Sequence, residues 1–254
     1  MRKLKLIGIG AGNPEYITVQ AINALKHVDV VFLTDKGAET ADLIGARREI
    51  CERYIAPRPY RTVEIQDPKR DRSPVDYSRE VARWHQERAE LYERLLQEHL
   101  SQNDCGVFLI WGDPGLYDSA LRIIEELAGR KTVEFEYEVI PGISSIQALA
   151  ARHKISLNRV GQPIQITTGR RLKESIPGTD VAVMLDAECT FKTLANEDFD
   201  IYWGAYLGTP DEILLSGPLR DLSAEIEGVR DRARRQKGWI MDTYILRKRG
   251  APSC

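Results

Sequence analysis

The sequence predicts an α/β protein of two α/β domains, each on a central mixed or parallel sheet, with an active-site cleft between them. Three observations carry this. Apolar runs that end in a glycine turn and pass into a helix recur at Ile7–Leu25, Leu109–Leu127 and Val139–Ala151. Strand and helix signals alternate through the first half, the pattern of parallel strands joined by crossover helices. The texture changes near Ile143, so a boundary is expected there: 1–143, then 144–247, with 248–254 a small basic tail expected to fray.

The elements follow in order. Lys5–Gly8 reads as a strand, and Thr18–His27 as a helix because Val19, Ile22 and Leu25 recur at i, i+3 spacing. Asp29–Leu33 is a second apolar strand, and Thr40–Tyr54 is helical and charged. Pro57, Pro59, Pro68 and Pro74 interrupt the stretch Pro57–Ser78, which suits loop or extended backbone better than helix. Ser78–Leu100 is a long amphipathic helix with Val81, Trp84, Leu91 and Leu95 on its apolar side. Val107–Ile110 reads as a buried strand and Leu116–Leu127 as a helix. Phe135–Ile140 is a strand ending at Pro141-Gly142, and Ser144–Ala151 is a helix. In the second half Ile164–Thr168, Val181–Leu185, Ile201–Leu207 and Trp239–Ile245 read as strands. Leu222–Arg235 is a helix with a strongly charged outer face.

Composition narrows the classes. The chain has 254 residues, 43% hydrophobic and 29% charged, enough for one large domain or two small ones with proper cores. Its formal charge of -2 argues against a duplex nucleic-acid binder. No apolar run approaches the roughly 18 residues of a membrane span, and the apolar core of MRKLKLIGIGAG is too short for a cleavable signal. Cys51, Cys105, Cys189 and Cys254 show no CxxC spacing. They are expected to be reduced thiols in a cytoplasmic protein, not metal ligands or disulfides.

Three turns carry the chemistry. In the first, Gly8, Gly10 and Gly12 alternate ahead of Pro14. Glycine lets backbone approach a ligand at the carboxyl end of a parallel strand. The spacing is G-x-G-x-G and not the dinucleotide G-x-G-x-x-G, yet Asp35 lies past the second strand, where a ribose-binding acid would sit. A nicotinamide oxidoreductase therefore stays open, although Pro14 and Thr18 remove the helix N-terminal contacts a pyrophosphate favours. A glycine loop serving packing alone also stays open. In the second turn, Asp113 precedes Pro114 and is held extended at a strand's end. Asp113 either joins a ligand site or caps the following turn, and Tyr117 either faces a cleft or packs under the helix. In the third, Ser144 and Ser145 open a helix after Pro141-Gly142. One hydroxyl can cap it, and the exposed hydroxyls and N–H groups can hold a ligand carboxylate. No G-x-S-x-G is present and Ser144 has no sequence-local base, so this is not a nucleophile elbow.

In this order and at these separations the three turns resemble the class III tetrapyrrole methyltransferases, over nearly the whole chain. DKG at Asp35–Gly37, RREIC at Arg47–Cys51, YRTVEIQDP at Tyr60–Pro68, VARWHQERAELY, WGDPGLYDS and ALAARHKISLNRVG narrow the resemblance. The stretch between Arg58 and Trp84 most separates the chain from other members.

The resemblance implies S-adenosylmethionine as methyl donor, S-adenosylhomocysteine as product and a tetrapyrrole as substrate. The family's GxGxGxP loop maps onto Gly10, with Ala11 where the family carries proline. Its GDP loop maps onto Gly112 and Asp113, with Leu116 three residues on, and its PGxSS turn onto Ser144 and Ser145. The family's "YM" maps onto Met184-Leu185, leucine replacing methionine, and a later glycine onto Gly208. The narrower likeness implies methylation of C1 of precorrin-5 with loss of the extruded acetyl as acetate, giving precorrin-6A. A homodimer is implied as in relatives, with no metal, no nucleic acid and no membrane partner.

Loss of the acetyl needs an activated water and a proton acceptor. Asp35, at the end of the second strand, is the candidate catalytic residue, as base or as substrate-orienting group. Arginine suits planar carboxylate pairing, so Arg47, Arg48, Arg53, Arg58, Arg61 and Arg170-Arg171 are candidates for the precorrin carboxylates. Of these Arg47, Arg58, Arg61 and Arg170, with Tyr117, are assigned to the substrate. His85 and His153 read as surface or capping residues. A family member acting on another ring carbon, on a protein or on RNA, and a non-enzymatic ligand-binding module, are the competing readings.

Overall fold

A computed structural model describes residues 1–35, 41–55, 57–69, 71 and 75–250, without the side chains of Asp35, Ala41 and Asp42. The chain divides into two compact units, Met1–Ile143 and Ser144–Cys254.

In the first unit the chain runs β1 (Arg2–Gly8), α1 (Val19–Leu25), β2 (Val30–Asp35), α2 (Ala41–Tyr54), β3 (Arg61–Gln66), α3 (Tyr77–His99), β4 (Cys105–Ile110), α4 (Ala120–Arg130) and β5 (Phe135–Ile140). All five strands are parallel, in the order β3-β2-β4-β1-β5. Successive strand side chains point to opposite faces. Leu4, Leu6, Val30, Phe32, Phe108 and Ile110 therefore enter one core, with Tyr92 and Leu96 of α3 and Ile123 and Leu127 of α4. Ile7, Val31, Leu33, Val107 and Leu109 enter the opposite core, with Ala21 and Leu25 of α1 and Ile50 of α2. A strand covered on both faces must be apolar throughout, and β4 is buried at every residue.

Several boundaries differ from expectation for local physical reasons. The Thr18 side chain accepts the Ala21 N–H (3.1 Å) and starts α1 there. The helix buries Ala21, Ala24 and Leu25 and leaves Val19 73% exposed, so the i, i+3 stripe is rotated. The proline-rich stretch contains β3, an edge strand, where flanking prolines are tolerated. The buried face of α3 carries Arg88, Ala89, Tyr92, Leu95 and Leu96, while Trp84 and Leu91 are half-buried. α4 begins only at Ala120, because Tyr117 takes a left-handed φ of 52°.

The second unit runs α5 (Ser145–His153), β6 (Ile164–Thr168), α6 (Gly169–Leu172), β7 (Asp180–Met184), β8 (Phe199–Ala205), β9 (Ile213–Pro218), α7 (Leu219–Lys237) and β10 (Asp242–Lys248). The sheet order is β6-β7-β10-β8-β9, with β6 parallel to β7 and the other pairs antiparallel. Val181, Val183, Ile201, Trp203, Tyr244 and Leu246 pack with Leu219 and Ile226 of α7 on one face. α5 packs closely at Gly204, where a Cβ would come within 2.7 Å of Leu149 Cδ1. β9 and α6 had no signal in the periodicity. β10 pairs Lys248 with Phe199, so the strand occupies residues expected to fray. Residues 251–254 of that tail lie outside the described residues.

Among the described residues no helix is long and apolar enough to cross a membrane. None of their His, Cys, Asp and Glu side chains form a group of three or more that could hold a metal ion. Cys51, Cys105 and Cys189 are free and buried. Burial pushes the Cys51 thiol up to about 12 and the Cys189 thiol up to about 11, and raises that of Cys105. The thiolate is the reactive form, so an aromatic disulfide reagent at about pH 8 should leave these three unmodified until the protein is denatured. Peptide mapping that finds any of them modified in minutes in the folded protein would contradict this placement.

Candidate active site

β4, β1 and β5 are neighbours and parallel, so their C-terminal turns come out at one edge of the first sheet. The Ile9 N–H donates to Ile110 O (2.9 Å). Beyond it, Gly10 and Gly112 exchange two backbone hydrogen bonds, of 3.2 and 2.9 Å, and form an isolated antiparallel bridge. Both are left-handed, with φ of 81° and 72°. The third turn is pressed against them: a Cβ on Gly142 would lie 2.1 Å from Gly112 O and 2.7 Å from Gly8 C.

Asp113 fastens this meeting point. Its Oδ2 accepts the Gly142 N–H and its Oδ1 the Gly115 N–H, each at 2.8 Å. The carboxylate therefore both caps its own turn and holds the third turn, 29 residues on. Ala11 is buried, and Leu116 is half-buried with its N–H donating to Asp113 O (3.3 Å). Tyr117 is 46% exposed and does not pack under the helix.

Arg47 reaches the same edge from α2. Its Nε donates to Leu109 O (3.0 Å) and its Nη1 to Leu43 O (2.9 Å). Burial draws its pKa down, opposed chiefly by the charge of Asp118. Asp35 ends β2 opposite Gln66 of β3; its side chain lies outside the described residues, as do Lys36 and Gly37 of the DKG stretch.

The structure does not bring Arg58 and Arg61 together with Arg47. Both precede or begin β3, at the N-terminal end of the sheet and away from the glycine turns. Arg58 pairs with Asp29 (2.6 Å) and donates to Lys26 O (3.3 Å). Arg61 donates to His99 O (2.8 Å) and lies 3.6 Å from Asp104. Parallel strands enter at this end, so sequence proximity to Arg47 did not mean proximity in space. Arg48 and Arg53 are likewise in exposed ion pairs, with Glu64 and Glu15.

Sequence reasoning missed Arg88, which is 7% exposed. Its Nη1 donates to Ser119 Oγ (3.0 Å) and its Nη2 to Tyr92 Oη (2.5 Å), and the guanidinium lies 4.7 Å from the Trp84 ring. Its Nε sits 2.9 Å from Asp67 Oδ1 without the N–H aimed along that line, so the pair is held by charge. This residue ties the segment after β3 to Ser119 at the start of α4. The available signal was an arginine on the same helix face as Trp84 and Tyr92, four residues to either side.

In the second unit Ser144 is buried and caps α5. Gln147 Oε1 accepts its N–H (2.9 Å) and also bonds its hydroxyl, so that hydroxyl is engaged in capping. The Ser145 hydroxyl lies 3.1 Å from that of Thr243. Thr168 and Thr243 both pair with Met184, and Thr243 with Gly204. The ends of β6, β7 and β8 and the start of β10 therefore share one edge. That edge brings together Arg170 after β6, Leu185 after β7, Ser145 beside β10 and Gly208 after β8. Leu185 is 64% exposed with φ of 55°, so it lies outside the core. Gly208 has φ of 75° and donates its N–H to Glu212 Oε2 (2.9 Å). His153, the last residue of α5, is half-buried and caps no helix; its Nε2 lies 3.0 Å from Trp203 O within β8.

Within the first unit the turns present backbone and apolar surface: the glycines leave no room for a Cβ, Ala11 is small, and the Asp113 carboxylate is taken up by N–H groups.

Comparison with known proteins identifies the family. Residues 3–223 match the family model described as tetrapyrrole (corrin/porphyrin) methylases. The chain is 51% identical over 250 residues to a Sinorhizobium protein named precorrin-6A synthase (deacetylating), covering 98% of this chain and 96% of the other. A crystal structure of a protein described as cobalamin synthesis related (CobF), from Corynebacterium diphtheriae, is 37% identical. It covers 98% of this chain and 99% of its own, with a TM-score of 0.84. A uroporphyrin-III C-methyltransferase from Thermus thermophilus, solved with S-adenosylhomocysteine, shares the fold at 19% identity and a TM-score of 0.60, over 96% of this chain and 91% of that one. The chain therefore belongs to the tetrapyrrole (corrin/porphyrin) methylase family.

Proposed function

We propose that this protein methylates C1 of precorrin-5 with S-adenosylmethionine and releases acetate, giving precorrin-6A. The observation that carries this is the 51% identity, across 98% of the chain, with the Sinorhizobium precorrin-6A synthase (deacetylating). The nicotinamide reading is not retained, because the family is one of methylases.

The donor supplies a methyl group already activated by a positive sulfur. The protein's task is alignment, which can supply roughly 7–11 kcal/mol of the barrier in such reactions. In this reading Gly10, Ala11, Gly112, Asp113, Leu116, Ser144, Ser145, Leu185 and Gly208 hold the donor. The left-handed glycines bring backbone close to it, and Asp113 keeps their turns in register. Arg47, Tyr117 and Arg170 receive the macrocycle and its carboxylates; Arg58 and Arg61, at the other end of the first sheet, are the weaker members of the expected set. Asp35 orients the substrate or takes a proton from the water that adds to the acetyl carbonyl. The bond from ring to acetyl carbon then breaks, its electron pair stays with the macrocycle, and the water oxygen leaves in acetate. A homodimer in the cytoplasm, without nucleic acid or membrane partners, completes the reading; the net charge of -2 suits the lack of a nucleic-acid partner.

Ligand-dependent melting tests the donor. S-adenosylhomocysteine at about a hundred times its Kd should stabilise the protein by about 2.7 kcal/mol, and NAD should leave the melting temperature unchanged. With precorrin-5 and donor, one acetate should appear for each methyl transferred. Methylation without acetate would favour a different ring carbon, and stabilisation by NAD alone would remove the methyltransferase reading.

A further inference from the structure

Leu185 combines two features that oppose each other. A left-handed conformation is unfavourable for a residue with a side chain, and a large apolar side chain gains nothing from exposure. The structure holds it there, at φ of 55° and 64% exposed. The residue after it, Asp186, is 5% exposed and fully engaged. Its Oδ1 accepts from the Thr190 hydroxyl (2.9 Å) and the Glu188 N–H (3.1 Å). Its Oδ2 accepts from the Thr190 N–H (2.6 Å) and the Tyr244 hydroxyl (2.7 Å). Its carbonyl accepts from Arg230 Nη2 (2.9 Å).

Arg230 is anchored in turn. Its Nε donates to Asp242 Oδ2 (3.1 Å), which also accepts the Trp203 Nε1–H (2.9 Å). Gly169 lies against the same carboxylate, since a Cβ there would come within 2.4 Å of Asp186 Cγ. The groups around Asp186 thus come from the β6–α6 turn, the turn after β7, α7 and β10. Such a network fixes the peptide leaving β7 against the disfavour of leucine for a left-handed backbone.

We propose that Asp186 is a positioning residue for the methyl donor: with Arg230 it clamps Leu185 in its left-handed, outward conformation, so that this residue meets the donor without rearrangement. The inference rests on the assignment of Leu185 to the donor site. Asp186 does not touch the donor; it acts through the backbone of its neighbour.

The test uses glycine, which takes a positive φ freely. S-adenosylhomocysteine binding is measured by calorimetry on the full chain with Asp186→Asn, Leu185→Gly and the double variant. The asparagine amide turns a donor toward donors, so Asp186→Asn should weaken binding about tenfold, or about 1.4 kcal/mol. In the Leu185→Gly background the same substitution should weaken it less than twofold, because the glycine needs no clamp. The donor KM should rise by the same factor as Kd, with kcat at saturating donor within twofold of the parent. If Asp186→Asn does not fold, Tyr244→Phe removes one donor to the same carboxylate without altering charge, and about a threefold loss with the same dependence on residue 185 is expected.

A loss of equal size in both backgrounds would show general damage and overturn the proposal. So would unchanged affinity in Asp186→Asn while the parent binds normally. A parent that takes up no S-adenosylhomocysteine would overturn the assignment of the donor site itself, and this inference with it.

Discussion

Gly142→Ala is expected to destabilise the first unit by about 3 kcal/mol, the upper end of the range for overpacking a tight site. The added Cβ would lie 2.1 Å from Gly112 O and 2.7 Å from Gly8 C, and both obstacles are backbone. A flexible side chain could swing away; the turns after β1 and β4 cannot, because they are tied to each other through Gly10 and Gly112. Relief would require moving the third turn outward and breaking the 2.8 Å hydrogen bond from Gly142 N–H to Asp113. Denaturant unfolding measures the loss as a lower midpoint at unchanged slope. Gly45→Ala is the internal control, since Gly45 lies within α2 with nothing inside 4 Å of a built Cβ. That exchange should stabilise by roughly 0.5–1 kcal/mol. A Gly142→Ala protein as stable as its parent would mean that the three turns do not meet as described.

Asp113→Asn should leave the fold intact and weaken S-adenosylhomocysteine binding by roughly 10- to 150-fold. The carboxylate accepts two backbone N–H groups, one per oxygen, at 2.8 Å each. An asparagine can satisfy only one of them, and its amide presents a donor to the other. Hydrogen bonds to charged groups contribute about 1.5–3 kcal/mol, which converts to the stated range when the lost order lies at the binding turns. Because the two N–H groups belong to different turns, Asp113→Asn should loosen Gly142 or Gly115 without unfolding the sheet. Hydrogen exchange at those two amides, compared with amides inside β4, measures this directly. Full affinity in Asp113→Asn, with those amides still protected, would remove the carboxylate from any organising role.

The sequence was most legible where structure is a local matter. The strands β5 and β6 stand at the residues that alternation and apolar runs indicated. The glycines at positions 10 and 112 marked tight turns, and both take the left-handed backbone that few other residues adopt. The second half was read less well. β9 is half-buried at every residue but the exposed Ser216 and has no clean alternation, so nothing marks it until β8 pairs with it. Leu185 was read as the last residue of a strand, since a leucine after Val181–Met184 continues the apolar pattern; its reversal of φ depends on Asp186, whose partners lie up to 58 residues away.

The arginines show the limit most clearly. Arg47, Arg58 and Arg61 fall within a short stretch of chain, yet Arg47 bonds to Leu109 O at the C-terminal edge of the sheet while the other two bond around Asp29, Lys26, His99 and Asp104 at its N-terminal edge. A helix followed by a parallel strand carries the chain from one edge to the other, and composition has no record of that crossing. Chain order and short-range periodicity were enough for the class of fold, the three turns and the family they resemble, because those depend on backbone preferences a few residues long. Which turn Asp113 grips, why Arg88 is buried and which arginines stand at the C-terminal edge of the first sheet were settled by strand order and by which helix covers which face. Those depend on contacts between residues far apart in the chain.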